Sequence, residues 1–179
     1  MQMKDTRTIA APVPVVWAAL QSPEVLKDAV SGCQELTGNP EDGFEATVVQ
    51  KVGPVKATFK GVVSFADVVE GQSLTLVGEG KGGAAGFAKG EAHVTLEPVT
   101  LDSGAEGTVL SYDVDAKVGG KLAQLGSRII DGFARKMADD FFDRFTDAVE
   151  GPKPEEADAE EAAAEDTPNK GWFRKLTGR

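Results

Sequence analysis

KLAQLGSRIIDGFARKMADDFFDRFTDAV, residues 121–149, carries a long apolar stripe at helical spacing. Leu125, Ile129, Phe133, Met137, Phe141, Phe145 and Val149 recur at every fourth position, and Leu122, Ile130, Ala134, Ala138 and Phe142 widen the stripe. The charged residues, from Arg128 and Asp131 to Arg144 and Asp147, fall away from it, as on a helix that buries one side. The spacing predicts a helix from about Lys121 to Val149, roughly 40 Å long at 1.5 Å per residue. Gly126 and Gly132 fall inside that span, where each costs roughly 1 kcal/mol relative to alanine. Close approach of another backbone and room for a cavity beside the stripe are both open explanations.

A helix that long needs an equally long apolar partner, and the preceding residues supply it. Between Gln34 and Val118 the period changes from about four to two. Val55, Ala57, Phe59, Val63 and Phe65 alternate with Lys56, Thr58, Lys60 and Ser64; Phe44, Ala46, Val48 and Val52 form a similar dry set. Leu74–Val77, Ala88–Leu96 and Val109–Val118 supply three further strands. Gly53-Pro54, Glu70-Gly71 and Asp102-Ser103-Gly104 join neighbours as antiparallel hairpins. A strand at Met3–Ala10 precedes two short helices, one opening with Val13-Pro14 and one capped by Ser22 ahead of Pro23 and Glu24. The expected class is α+β: one strand, two short helices, about six antiparallel strands and the long helix, with the helices on one face of a curved sheet. A sheet bent around a helix leaves a space whose walls are apolar.

The 179 residues carry a formal charge of −10, one cysteine and one histidine. Residues 1–150 have 14 Lys and Arg against 22 Asp and Glu and form the expected globular domain. Residues 151–168 hold Lys153 against seven acids and read as an acidic, disordered linker. Residues 169–179 carry four basic residues and no acid. There Lys170, Trp172, Phe173, Arg174, Lys175 and Leu176 combine aromatic and cationic groups, a composition that suits an anionic lipid interface. A disordered end and a docking peptide for a protein groove are the other readings of this tip. The acidic balance argues against nucleic-acid binding. With no secretory leader and no run of about 18 apolar residues, the expected location is cytoplasmic, and lipid contact by the tip would make the chain peripheral to the inner face of the cell membrane.

Three chemical motifs read as bland. Gly78-Glu79-Gly80-Lys81-Gly82-Gly83 matches a dinucleotide-binding pattern, but a strand follows where that site needs a helix, so a glycine-rich hairpin tip is expected; a mobile loop at a cavity mouth, with Phe87 as its gate, is the alternative. His93 shares its strand parity with Lys89 and Glu91 and is expected in solvent, and no second histidine or cysteine pair completes a metal site. Cys33 lies near Asp28 and Glu35, which should raise its pKa, so it is expected to be an unreactive structural thiol.

VGPVKATFKG at 52–61, GEGKGGAAGFAKG at 78–90 and VGGKLAQLGSRIIDGFARKM at 118–137 resemble the carbon monoxide dehydrogenase G-subunit family of the START-like (SRPBCC) helix-grip superfamily. The resemblance runs from about residue 1 to 149, with Ser31 standing where the family usually has proline before Gly32-Cys33. It implies a helix-grip (START/Bet v 1-like) domain with a seven-stranded sheet, an apolar cavity and no enzymatic activity. It also implies service to a molybdenum-containing carbon monoxide dehydrogenase or related hydroxylase at the cytoplasmic membrane. Carriage of an isoprenoid quinone of the menaquinone type fits the cavity and the tip; no covalent cofactor or metal is expected. A pure adaptor that tethers the dehydrogenase without a ligand is the alternative. Trp17, Phe59, Val63, Phe65, Phe87, Leu125, Ile129, Phe133 and Phe141 are the candidate wall residues.

Overall fold

The computed structural model describes residues 1–150; the linker expected at 151–168 and the tip expected at 169–179 lie outside the described residues. Strand Gln2–Ile9 (β1) leads into helices Val13–Ala19 (α1) and Pro23–Ala29 (α2). Strands Cys33–Asn39 (β2), Gly43–Val52 (β3), Val55–Val69 (β4), Ser73–Lys81 (β5), Phe87–Thr100 (β6) and Glu106–Gly119 (β7) follow, then helix Ser127–Glu150 (α3). All seven strands form one antiparallel sheet in the order β1-β7-β6-β5-β4-β3-β2. From β2 to β7 each strand pairs with the next in the chain, and the connection from β1 at one edge to β2 at the other carries α1 and α2. Local signals place those helices. Pro14 lies in the first turn of α1, and the Ser22 hydroxyl accepts the Val25 N–H at the start of α2.

Two sequence expectations are corrected. The long helix does not begin at Lys121: Gly120–Leu125 is a 3-10 segment and α3 starts at Ser127. Gly126, between them, has φ +92°, a conformation costly for residues with a Cβ, so it is a joint and not a helix-interior glycine. Nor is the glycine-rich stretch wholly a hairpin tip. Gly78 and Gly80 are in β5, and a three-residue 3-10 turn at Gly83–Ala85 lies between it and β6.

The register puts the alternating apolar sets on one face. Leu74 aligns with Val94, and Val94 with Tyr112; Leu96 aligns with Leu110, which aligns with Arg7. With Ile9, Val16, Trp17, Phe142 and Phe145 these apolar side chains make the core, in which Ile9, Val16 and Phe145 are 0% exposed. Burial of each large side chain is worth about 1.5–3 kcal/mol, so this cluster dominates stability. Thr108, also fully buried, donates its hydroxyl to the Ala11 carbonyl at 2.8 Å and ties β7 to the start of the helical connection.

Candidate functional site

The helix-facing surface divides along the strands. At one end α3 delivers Phe141, Phe142 and Phe145 as an aromatic group. Phe142 stacks on Tyr112 at 5.4 Å between centroids, and Phe141 stacks on Phe145 at 5.5 Å. Arg7 closes this end: its guanidinium sits 4.9 Å over the Phe142 ring and donates to Asp139 at 2.7 Å. Burial would lower the Arg7 pKa, but hydrogen bonds to Asp139 and Tyr112 outweigh it and hold it above the usual value.

Toward the other end the same face carries small residues. Ala46, Gly61, Gly80 and Ala88 form one cross-strand row, and Gly78, Gly90 and Ala116 belong to the next. A Cβ on Gly80 would meet nothing within 4 Å. Phe59 is half-buried with its ring over Gly82, and Val63 lies against Gly78. Ile129, 40% exposed, and Leu125 reach the β3–β4 turn at Gly53. Phe133 and Met137 are half-buried. Apolar side chains from helix and sheet therefore border a glycine and alanine floor with no aromatic packing like that at the other end. A side chain at Gly132 would meet nothing within 4 Å and Gly132 is exposed, so no close approach accounts for it.

The nine wall candidates do not form one set. Phe59, Leu125, Ile129 and Phe133 border the open half, with Val63 beside them. Trp17 is part of the core, and Phe65 and Phe141 pack against it. Phe87 shares the strand parity of Lys89, Glu91 and His93 and covers Gly119, its cross-strand partner, on the face away from α3. Sequence reasoning missed Gly80 and its alanine neighbours, although they share the strand parity of the apolar positions that define the dry face. The membrane-contact candidates Lys170, Trp172, Phe173, Arg174, Lys175 and Leu176 lie outside the described residues.

Two concavities lie elsewhere. A groove of about 880 Å³ crosses the outer sheet face, its lining including Val62, Val77, Glu45, Glu79 and Lys89 and no residue of α3. A smaller cleft of about 350 Å³ lies between Arg7, Tyr112, Arg135 and Asp139. Among the described residues no group of three or more His, Cys, Asp and Glu could hold a metal ion. His93 is exposed and its Nδ1 lies 3.1 Å from the Thr75 hydroxyl. The Cys33 pKa is raised, as expected, but the cause differs: desolvation raises it, while a hydrogen bond to the Glu35 carbonyl and the charge of Lys27 oppose the rise. Gly32 has φ +77° and its backbone abuts Val49, so glycine is required at that turn whichever residue precedes it.

A seven-stranded antiparallel sheet around a long C-terminal helix defines a START-like helix-grip domain. Solved structures agree. A START superfamily protein from Mycobacterium smegmatis is similar with a TM-score of 0.60 at 14% identity, covering 83% of this chain and 97% of that one. The aromatase/cyclase Zhui from Streptomyces matches at 0.53 and 15% identity, covering 84% and 93%. A conserved protein from Geobacillus kaustophilus matches at 0.75 and 28% identity, covering 83% and 95%. No match to a curated protein was found. The chain belongs to the carbon monoxide dehydrogenase G-subunit (CoxG) family, whose model matches residues 6–150.

Proposed function

We propose that this chain is a non-enzymatic carrier of a lipophilic ligand, an isoprenoid quinone of the menaquinone type, between the membrane and a molybdenum-containing carbon monoxide dehydrogenase or related hydroxylase. The observation that carries the reading is the open half of the grip, where Phe59, Leu125 and Ile129 border the glycine and alanine floor and a Cβ on Gly80 would meet nothing within 4 Å. An apolar chain laid there would gain about 25 cal/mol per Å² of surface removed from water and needs no charged partner. Family membership supports an accessory role beside the dehydrogenase. A helix-grip fold by itself does not decide against catalysis, since an aromatase/cyclase shares it. The carrier reading rests instead on the apolar character of the surface at the open end, where Phe59, Leu125 and Ile129 are only partly buried. The basic and aromatic tip at 169–179 would supply a reversible membrane contact.

Incubating the protein with menaquinone-containing vesicles, separating the two, and examining the protein by native mass spectrometry and solvent extraction tests the proposal. One quinone per chain is expected. Protein that never retains a lipophile is a pure adaptor, and the carrier reading then fails.

A further inference from the structure

The outer face of the sheet is electrically polarised in a way that the net charge conceals. Three pairs of lysines stand directly opposite one another on neighbouring strands: Lys51 with Lys56, Lys60 with Lys81, and Lys89 with Lys117. All six are exposed and share the strand parity that points away from α3. None takes part in the ion pairs formed among the described residues, which join Arg7 to Asp5 and Asp139, and Lys136 to Asp140. Like charges directly opposite one another on a sheet oppose folding, so three such pairs in a domain rich in acid call for an explanation outside the fold. At about 4.8 Å between strands and 3.3 Å per residue along them, the six form a band some 25–30 Å long.

The band has a defined location. Lys51 and Lys56 flank the Gly53-Pro54 turn, which Ile129 and Leu125 touch from the helix side. Lys81 precedes the 3-10 turn that follows β5, and exposed Lys121 lies in the segment before α3. This is the open end of the grip. The acids Glu91, Asp113 and Asp115 occupy the outer face further along β6 and β7, toward the packed end; Glu45 and Glu79, in the same cross-strand row as Lys89 and Lys117, mark the boundary, so the band is most strongly basic at Lys51, Lys56, Lys60 and Lys81.

We propose that this lysine band is a second membrane-docking surface, carried by the folded domain itself, that seats an anionic lipid bilayer against the open end of the grip. Lysines are drawn to the negative potential of an anionic lipid surface, and the ammonium is a point charge that meets phosphate without demanding a fixed geometry. The partly exposed Ile129 beside the lysines favours a lipid surface over a nucleic acid or an acidic protein face, because the interface accepts apolar and cationic groups together. The inference does not depend on which ligand the grip carries: vesicle binding is readable with no quinone present.

Two arms test it with the full chain, so that the tip contributes equally throughout. The first compares co-sedimentation with phosphatidylcholine vesicles containing about 30% phosphatidylglycerol, an anionic surface of the kind that attracts basic segments. Lys51→Glu/Lys56→Glu/Lys60→Glu/Lys81→Glu is expected to bind at least tenfold more weakly than the parent chain. Lys4→Glu/Lys27→Glu/Lys136→Glu/Arg144→Glu, with the same change in net charge, is expected to lose less than threefold. Far-ultraviolet circular dichroism confirms that both remain folded. In the second arm, a Cys33→Ser chain carries a polarity-sensitive fluorophore at Pro54→Cys or at Glu70→Cys. Emission is expected to shift to the blue on anionic vesicles at position 54 only. Equal losses in the two quadruple variants, or equal shifts at the two label positions, would overturn the proposal. Undiminished vesicle binding by the first variant would also overturn it and leave the band to an acidic protein partner.

Discussion

Two halves of one helix face one sheet and do different things. In the second half of α3, Phe142 and Phe145 are nearly or fully buried, stacked on Tyr112 and Phe141 and roofed by Arg7. In the first half, Ile129, Phe133 and Met137 are no less apolar yet remain half-buried or exposed, over a floor of glycine and alanine. Equal hydrophobicity with unequal burial shows that the sheet determines which half is filled. Large side chains at Leu74, Val94, Leu96 and Leu110 complete the packing at one end; further along the same strands Gly78, Gly80, Ala88, Gly90 and Ala116 take their place, beside the larger Phe44, Val52, Phe59 and Val63 of β3 and β4. Stability is concentrated where the floor is large, and the capacity for a ligand where it is small.

The sharpest way to break this comparison is to cut into the packed half. Phe145→Ala is expected to cost about 3–5 kcal/mol, which a urea titration would register as a large fall in midpoint. Thr108→Val leaves the Ala11 carbonyl without its buried donor and should cost about 1–3 kcal/mol in the same titration. In the open half the signs separate. Gly80→Val, whose added methyls enter vacant space, should leave the urea midpoint unchanged or raise it while weakening menaquinone binding at least tenfold, equivalent to about 1.4 kcal/mol. A drop in stability with unaltered binding would mean that Gly80 serves the backbone instead. Smallest of all, Asp139→Ala removes an ion pair whose carboxylate is largely in solvent. It should cost less than about 1 kcal/mol, with the difference from the parent chain shrinking as salt is raised.

Much of this architecture was legible in the sequence because it rests on periodicity. The alternation in 55–65, the Pro14 and Ser22-Pro23 helix starts and the three hairpin turns are local signals; six of the seven strands and both short helices overlap those signals, whereas β2 carries none of its own. What escaped depends on register or on backbone conformation. Gly126 fits a helical pattern but adopts φ +92°, which no side-chain spacing reveals. Gly78 and Gly80 look like loop residues because glycine carries no hydrophobic signal, although they continue β5. Phe87 is apolar and near the glycine-rich segment, yet its parity sends it to the outer face, where it covers Gly119. The opposed lysines are 5, 21 and 28 positions apart in the chain, and only the strand register brings each pair together. Of the wall candidates, those on α3 and β4 at the open end were visible as apolar residues, but their separation from Trp17, Phe65 and Phe141 required the fold.

Amide hydrogen exchange, followed peptide by peptide with and without menaquinone, separates the two halves of α3. Amides in 128–137 are expected to exchange at least tenfold faster than those in 139–147 in the free protein and to gain protection when menaquinone is added, while 139–147 stays unchanged. Equal exchange in the two halves, or protection that does not respond to menaquinone in 128–137, would contradict the division of the helix into a packed half and a ligand-bearing half.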